Sequence, residues 1–356
     1  MPELTDPDND GILEFTQTAE DADGDSLSIT LELDQINGTT QSGSDRNPSW
    51  LSYSTSEVIQ GGTTTVEINV ELNASELGDA GTTYTFLLEA DDGTATTDRT
   101  FTLDVEVEVL SGESMYIIDN LDDKIREYDL PTAWDISTAS VNGSVATKDG
   151  NAKSLYLRSD GKKLYILGNN DQKIRQYDLS TAWDISTAST NETDPTSTPT
   201  EGYDPQGVFF RDDGKKMYTV AASEGMMYEF DLSVAWDVST ASLNQGRSTQ
   251  NTSPTGLHFR SDGKKLYTVD RYAAEFYEYN LSTAWDISTA YLKQSKSTQD
   301  TSPAGLFFRG DGKKLYTLGS EVYEYDLSTA WDISTASLKQ TTATGASGTA
   351  GIVFGR

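Results

Sequence analysis

Five copies of one phrase, AWDIS or AWDVS, place tryptophans at Trp134, Trp183, Trp236, Trp285 and Trp331, spaced 49, 53, 49 and 46 residues apart. Each copy follows an aromatic-rich run: IREYDL, IRQYDL, MYEFDL, FYEYNL or VYEYDL. In four copies SDGKKLY or a variant lies further upstream, preceded by an apolar stretch such as GLFFR. A unit of this length holding four short strand-like runs, repeated five times, predicts the blades of a β-propeller. No long segment shows the 3.6-residue apolar period of an amphipathic helix, so the chain reads as all-β.

The ends of the array say how it closes. Its first copy begins at Met115 and lacks the GLFFR-type strand, whereas the last residues, Gly351–Gly355, match that missing strand. A C-terminal strand that completes the first blade leaves no unpaired edge at the seam. Residues 111–356 are therefore expected to form one closed five-bladed propeller. The innermost strands are assigned to Leu155–Arg158, Gly207–Arg211, Gly256–Arg260, Gly305–Arg309 and Gly351–Gly355. The second strands carry Tyr116, Tyr165, Tyr218, Tyr267 and Tyr316, the third carry the YEYDL pattern, and the outermost run through ISTASL.

Charge marks the other domain boundary. The chain carries 57 acidic and 26 basic residues, a net charge of −31. Residues 1–110 hold 24 Asp or Glu against Arg46 and Arg99 alone, and the rest is far more balanced. So negative a chain lacks the basic face that phosphate-backbone binding needs, which argues against a nucleic-acid partner. Molar salt shortens the Debye length to about 3 Å, so this acidity predicts a halophilic setting. There are no cysteines, hence no disulfide or thiolate chemistry. No apolar run approaches the ~20 residues of a membrane span. The opening MPELTDPDND lacks the basic segment and apolar core of a secretory signal.

Residues 1–110 predict a β-sandwich with strands near Ile12–Thr18, Leu27–Leu33, Trp50–Ser54, Thr64–Leu72, Thr83–Ala90 and Thr100–Val109. DADGDSLSIT at Asp21–Thr30, PSWLSY at Pro48–Tyr53 and the run from Tyr84 to Val105 resemble cadherin-like, Ig-type domains. Such modules recur in prokaryotic surface proteins and in virion proteins, and the resemblance implies a spacer or adhesive role. Asp6, Asp8 and Asp10 form a D-x-D-x-D-G start, and Asp21, Asp23 and Asp25 a second alternating set. Both are candidate calcium sites, although Gln17 stands where an EF-hand has its bidentate Glu. No other cofactor is implied.

The DLSTAWDISTAS repeat with its SPxGLFFRxDGKKLYxL partner is similar to propeller repeats of tailed-virus structural and tail-fibre proteins. That resemblance implies a virion surface protein on a tail fibre, baseplate or capsid turret, assembled in the host cytoplasm. Its expected partners are other virion proteins and a host surface glycan or glycoprotein, bound as a trimer or pentamer. The alternative is a cellular surface or secreted adhesion protein, and a third reading is a glycosidase. A five-bladed glycosidase needs carboxylates at the inner-strand mouth. The stretches there are Ala152-Lys153-Ser154, Pro205-Gln206, Pro254-Thr255, Pro303-Ala304 and Thr349-Ala350, with only Asp204 close by. The single histidine, His258, replaces the Phe210 or Phe308 of sister blades. On these grounds the chain is expected not to be an enzyme. The five tryptophans are expected to pack blades together, and Arg158, Arg211, Arg260 and Arg309 to pair with acidic turns. Ligand contact is expected in the connections Thr190–Tyr203, Asn244–Ser253 and Gln294–Ser302.

Overall fold

The computed structural model describes strand backbone within residues 12–105 and, between 111 and 355, all but 149–150, 190–196, 200–201, 203 and 347. The chain divides into two compact units, residues 1–107 and 108–356.

In the first unit the strands are β1 (Ile12–Asp21), β2 (Ser28–Ile36), β3 (Thr39–Thr40), β4 (Leu51–Gln60), β5 (Thr63–Asn73), β6 (Thr82–Asp91) and β7 (Thr96–Val105). They form two antiparallel sheets, ordered β1-β5-β4 and β3-β2-β6-β7. All six strands read from alternation are present, because runs such as TTVEINVEL and YTFLLEA alternate or cluster β-branched and aromatic residues between turn formers.

The second unit is a five-bladed β-propeller, with no α-helix among its described residues. Blades three to five are four-stranded antiparallel sheets in chain order, from Pro205–Phe210 to Ala241–Ser248, Pro254–Phe259 to Ala290–Ser297, and Gly305–Phe308 to Ala336–Thr342. Blade two begins with Ala152–Leu157. Blade one takes Ser114–Asp119, Lys124–Asp129 and Ser140–Ala146 from the start of the array and Thr349–Gly355 from its end. Phe354 pairs with Met115 and Val353 with Tyr116, so the final strand is the innermost of the first blade.

Inner strands pack almost backbone to backbone around the axis. A Cβ on Gly256 would lie 2.9 Å from the Leu306 nitrogen, and one on Gly305 2.9 Å from the Ala350 oxygen. Glycine opens the GLFF motif in four of the five blades, where it permits that approach. Blade two has Ser154 at this position, and the Val208 N–H donates to its hydroxyl at 3.3 Å.

Two devices lock blades together, the first at all five junctions and the second at those from blade three to four, four to five and five to one. In the first, Tyr116, Tyr165, Tyr218, Tyr267 and Tyr316 donate their hydroxyls to the backbone oxygens of Trp183, Trp236, Trp285, Trp331 and Trp134, at 2.6–2.8 Å. Each tyrosine belongs to one blade and its tryptophan to the next. The tryptophans are held at φ between 61° and 68°. That left-handed geometry costs energy in a bulky residue, and ring packing offsets it. Trp236 stacks on Phe210 of its own blade at 5.7 Å and on Tyr156 of the preceding blade at 6.2 Å. Beneath it lies Gly214 of the DG turn, where a Cβ would meet the indole at 2.5 Å.

The second device is polar. Glu229, Glu278 and Glu324 on the third strands are at most 1% exposed. Each pairs with a second-strand lysine, Lys216, Lys265 or Lys314. Gln245, Gln294 and Gln340 on the outer strands donate both to these glutamates and, at 2.8 Å, to Asp286, Asp332 and Asp135 of the following blade. The aspartates cap short 3-10 turns, accepting from the backbone of Ser288, Ser334 and Ser137. Those turns hold Ile-Ser-Thr, so the outer strands begin at the alanine of the ISTASL run, or one residue later in blade one, and take in only its second half. Serine and glutamine bonds hold these three carboxyls below the usual carboxylate range.

Candidate functional site

The two mouths of the central channel are built differently. At the lower mouth, where inner strands end, the blades repeat. Arg158, Arg211, Arg260 and Arg309 each pair with the aspartate two residues on, Asp160, Asp213, Asp262 and Asp311. The expectation of local pairing for these arginines holds. Above them side chains on the inner strands contact one another from blade to blade. Tyr156, Phe209, His258 and Phe307 meet edge-on, with centroids 5.3–5.7 Å apart, and Val353 occupies the fifth inner strand's equivalent position. His258 also stacks on Trp331 at 6.2 Å. Burial pushes its imidazole down to about 3, so it is neutral among these side chains and serves as packing.

At the upper mouth, where inner strands begin, the blades diverge. The strands of blades two, three and four each open with a register shift at Lys153, Gln206 and Thr255. Such bulges re-aim the side chain of the extra residue. The two other blades place Ala304 and Ala350 there. Thr255 donates to the Pro303 carbonyl at 2.8 Å and thereby joins blades four and five. Gln206 donates to Asp204 Oδ1 at 2.5 Å, and Asn169 of blade two donates to the same oxygen at 2.5 Å. Asp204 itself is left-handed, with φ of 60°. In blade four, Arg271 takes the place of Asn169 and donates from Nε to Ser302 at 3.2 Å. Beside it Tyr272 is 82% exposed.

Lys153 is half-buried, and among the described residues it makes no hydrogen bond or ion pair. Burial lowers its pKa, nearby Asp204 opposes that shift, and Arg271 from blade four adds to it. Charges from blades two, three and four thus sense one another at this mouth. Such an arrangement can hold an anionic group between two cations and accept a hydroxyl on the second oxygen of Asp204.

The connections expected to contact ligand turn out otherwise. Most of Thr190–Tyr203 lies outside the described residues. Asn244–Ser248 belongs to an outer strand, and Asn251 and Ser253 beyond it are buried. Tyr279 donates to Asn251 Oδ1 at 2.9 Å and accepts from the Gln250 N–H at 2.9 Å, fastening this loop inward. In blade five Tyr325 accepts from Gln299 at 2.9 Å, and Asp300 is 1% exposed beside the Thr317 hydroxyl, with its Oδ1 accepting from the Ser302 N–H at 3.0 Å. Of the candidate calcium ligands, Asp6, Asp8, Asp10, Asp23 and Asp25 lie outside the described residues, and Asp21 is described only as the end of β1. Among the described residues no group of three acidic, histidine or cysteine side chains could hold a metal.

No family model matches the chain, and no curated protein matches it. Solved structures do. A 6-phosphogluconolactonase candidate from Bacteroides fragilis aligns at TM-score 0.43 and 13% identity over 86% of this chain and 84% of that one. The periplasmic gluconolactonase of Pseudomonas aeruginosa aligns at 0.42 and 13%, over 79% and 82%. Sqt1 from Chaetomium thermophilum aligns at 0.36 and 13%, over 74% and 70%. The likeness is one of fold. Two of these structures are described as lactonases, so the expectation that the chain is not an enzyme is withdrawn. The exclusion weighed only paired carboxylates and nucleophile triads at the mouth. Lys153 and Arg271 answer to neither pattern.

Proposed function

We propose that the chain is a cellular surface or secreted binding protein whose propeller offers its upper mouth to a ligand. The observation that carries this reading is the contrast between the mouths. Side chains that repeat in the blades are engaged in packing and ion pairs, whereas Lys153, Asp204, Gln206 and Arg271 break the repeat and gather at one end. Recognition residues on a rigid scaffold follow this distribution. The first unit, read as a cadherin-like module, serves as the spacer. The virion setting expected from the repeat resemblance has no support from the similar structures. Glycan-array binding of the full chain tests the reading. Binding should disappear in a Lys153→Met/Tyr272→Ser double variant and survive Leu243→Ser on the exposed outer rim. Equal binding by the double variant and the parent would overturn it.

A second reading makes the same mouth hydrolytic, favoured by the lowered pKa of Lys153 opposite Asp204. Opening a lactone needs a cation to polarise the carbonyl and a base to activate water, roles these two groups can fill. Acid release from gluconolactone, followed against the uncatalysed rate, decides it. Turnover abolished by Asp204→Asn would establish catalysis, and rates equal to background would dismiss it.

A further inference from the structure

We propose that the upper mouth recognises a polyol bearing a single anionic group, with Lys153 and Arg271 on the anion and Asp204 on a hydroxyl. This rests on the upper mouth being the recognition face and adds the chemical class of its ligand.

The argument begins with charge pairing. The second-strand lysines of blades two to five, Lys163, Lys216, Lys265 and Lys314, all sit within ion pairs. So do the four lower-mouth arginines. Lys153 is likewise partly withdrawn from solvent but, among the described residues, unpaired, in a chain with more than twice as many acidic as basic residues. An acidic chain has carboxylates to spare, so a half-buried lysine left unpaired is a cost that an arriving anion removes. Arg271 stands across the mouth and uses Nε on Ser302, and no hydrogen bond engages its two terminal nitrogens among the described residues. A planar fork of this kind suits a carboxylate or phosphate.

Asp204 supplies the other half of the recognition. Both of its hydrogen bonds, from Asn169 and Gln206, fall on Oδ1. They fix the carboxylate, and among the described residues no donor reaches Oδ2. A second anion would be repelled there, whereas a sugar hydroxyl would donate to it. Tyr272, exposed beside Arg271, adds an aromatic face of the type that packs on sugar rings. Two cations with one fixed carboxylate disfavour both a neutral sugar and a chain carrying several separate anionic groups. The lowered pKa of Lys153 agrees, since a bound anion would restore it.

Titration calorimetry on the full chain at low ionic strength tests this with glucuronate, glucose 6-phosphate, glucose and inorganic phosphate. Glucuronate or glucose 6-phosphate should bind, and which of them binds more tightly identifies the anion as carboxylate or phosphate. Glucose should bind at least tenfold more weakly. Lys153→Met and Arg271→Gln should each weaken binding tenfold or more, and Lys264→Met, an exposed lysine in the lower turn, should not. Asp204→Asn should weaken the sugar anions but not inorganic phosphate. Thermal unfolding of each variant should match the parent. Equal binding of glucose and the anions, insensitivity to Lys153→Met and Arg271→Gln, or no binding at all would overturn the proposal. A neutral glycan found on the array and lost in the mouth variants would leave the recognition face standing without it.

Discussion

The lower and upper ends of the propeller use the same strands to opposite effect. Below, every position that the repeat specifies has a partner: Arg with Asp, tryptophan over glycine, tyrosine on the next blade's carbonyl. Above, equivalent positions hold Lys153, Gln206, Thr255, Ala304 and Ala350, five residues of four types. Repetition marks what the ring needs in order to exist. Its failure marks what a ring of five equal blades does not need, and that is where a ligand can be accommodated without loss of stability.

This comparison can be broken most severely at the seam. Deleting residues 351–356 removes the inner strand of blade one, exposing the edge at Met115–Ile118 and emptying a core that includes the fully buried Phe354. Aggregation or loss of the cooperative transition is expected on heating in a scanning calorimeter, and an unchanged transition would refute closure by this strand. Trp236→Ala comes next. It takes away an indole packed between two blades while leaving a left-handed backbone that alanine tolerates poorly, and should cost about 3–5 kcal/mol by urea denaturation.

Asp300→Asn should act in the other direction. Burial raises the pKa of Asp300 against the hydrogen bonds from the Ser302 N–H and the Thr317 hydroxyl, which only partly offset it. The folded state therefore holds this proton more tightly than the unfolded chain, whose Asp titrates near 3.9. Its stability contribution is fullest below that pH and falls as pH rises through the higher folded value. Asparagine, already present as Asn251 at the matching site of blade four, escapes that loss. The variant should equal the parent near pH 3 and exceed it by about 1 kcal/mol at pH 7. A constant difference across that range would mean that the carboxyl is not titrating in the fold. Lys153→Met should have the smallest effect on stability, within about 0.5 kcal/mol. A larger loss would show the upper mouth to be structural after all and erase the contrast between the two ends.

Much of the framework was legible because a repeat tests each inference five times. The inner strands, the pairing of Arg158 and its sister residues, and the packing role of the tryptophans all follow from local spacing. The tyrosine latch does not, since Tyr165 and Trp236 are 71 residues apart and no local pattern joins them. Polarity misled the reading of the loops. Asn251 and Asp300 lie in Ser/Thr/Gln-rich segments that look exposed, yet both are buried under tyrosine hydroxyls. The signal available was the aromatic ending each third strand, Tyr279 or Tyr325, a residue that needs a hydrogen-bond partner when buried. At the mouth, Lys153 was visible in the sequence but was weighed only as a missing carboxylate. Its meaning depends on Arg271 of a distant blade, which adjacency in sequence cannot supply.

The closing strand also sets an order of events during synthesis. Gly348 donates to Asp119 across 229 residues, and Phe354 pairs with Met115. As the chain leaves the ribosome, blades two to five can each collapse from a contiguous segment, while Ser114–Ala146 waits as an incomplete sheet with an open edge. The ring closes only when its last strand emerges. Until then Tyr116 has lost the neighbours on one side, and the core formed by Met115, Ile117 and Phe354 is unfinished. Contacts of such long range fold slowly. The seam is therefore the point at which a ribosome-bound chain is most exposed to proteases and to pairing with a second nascent copy, and at which a late truncation does the most damage for the fewest residues lost.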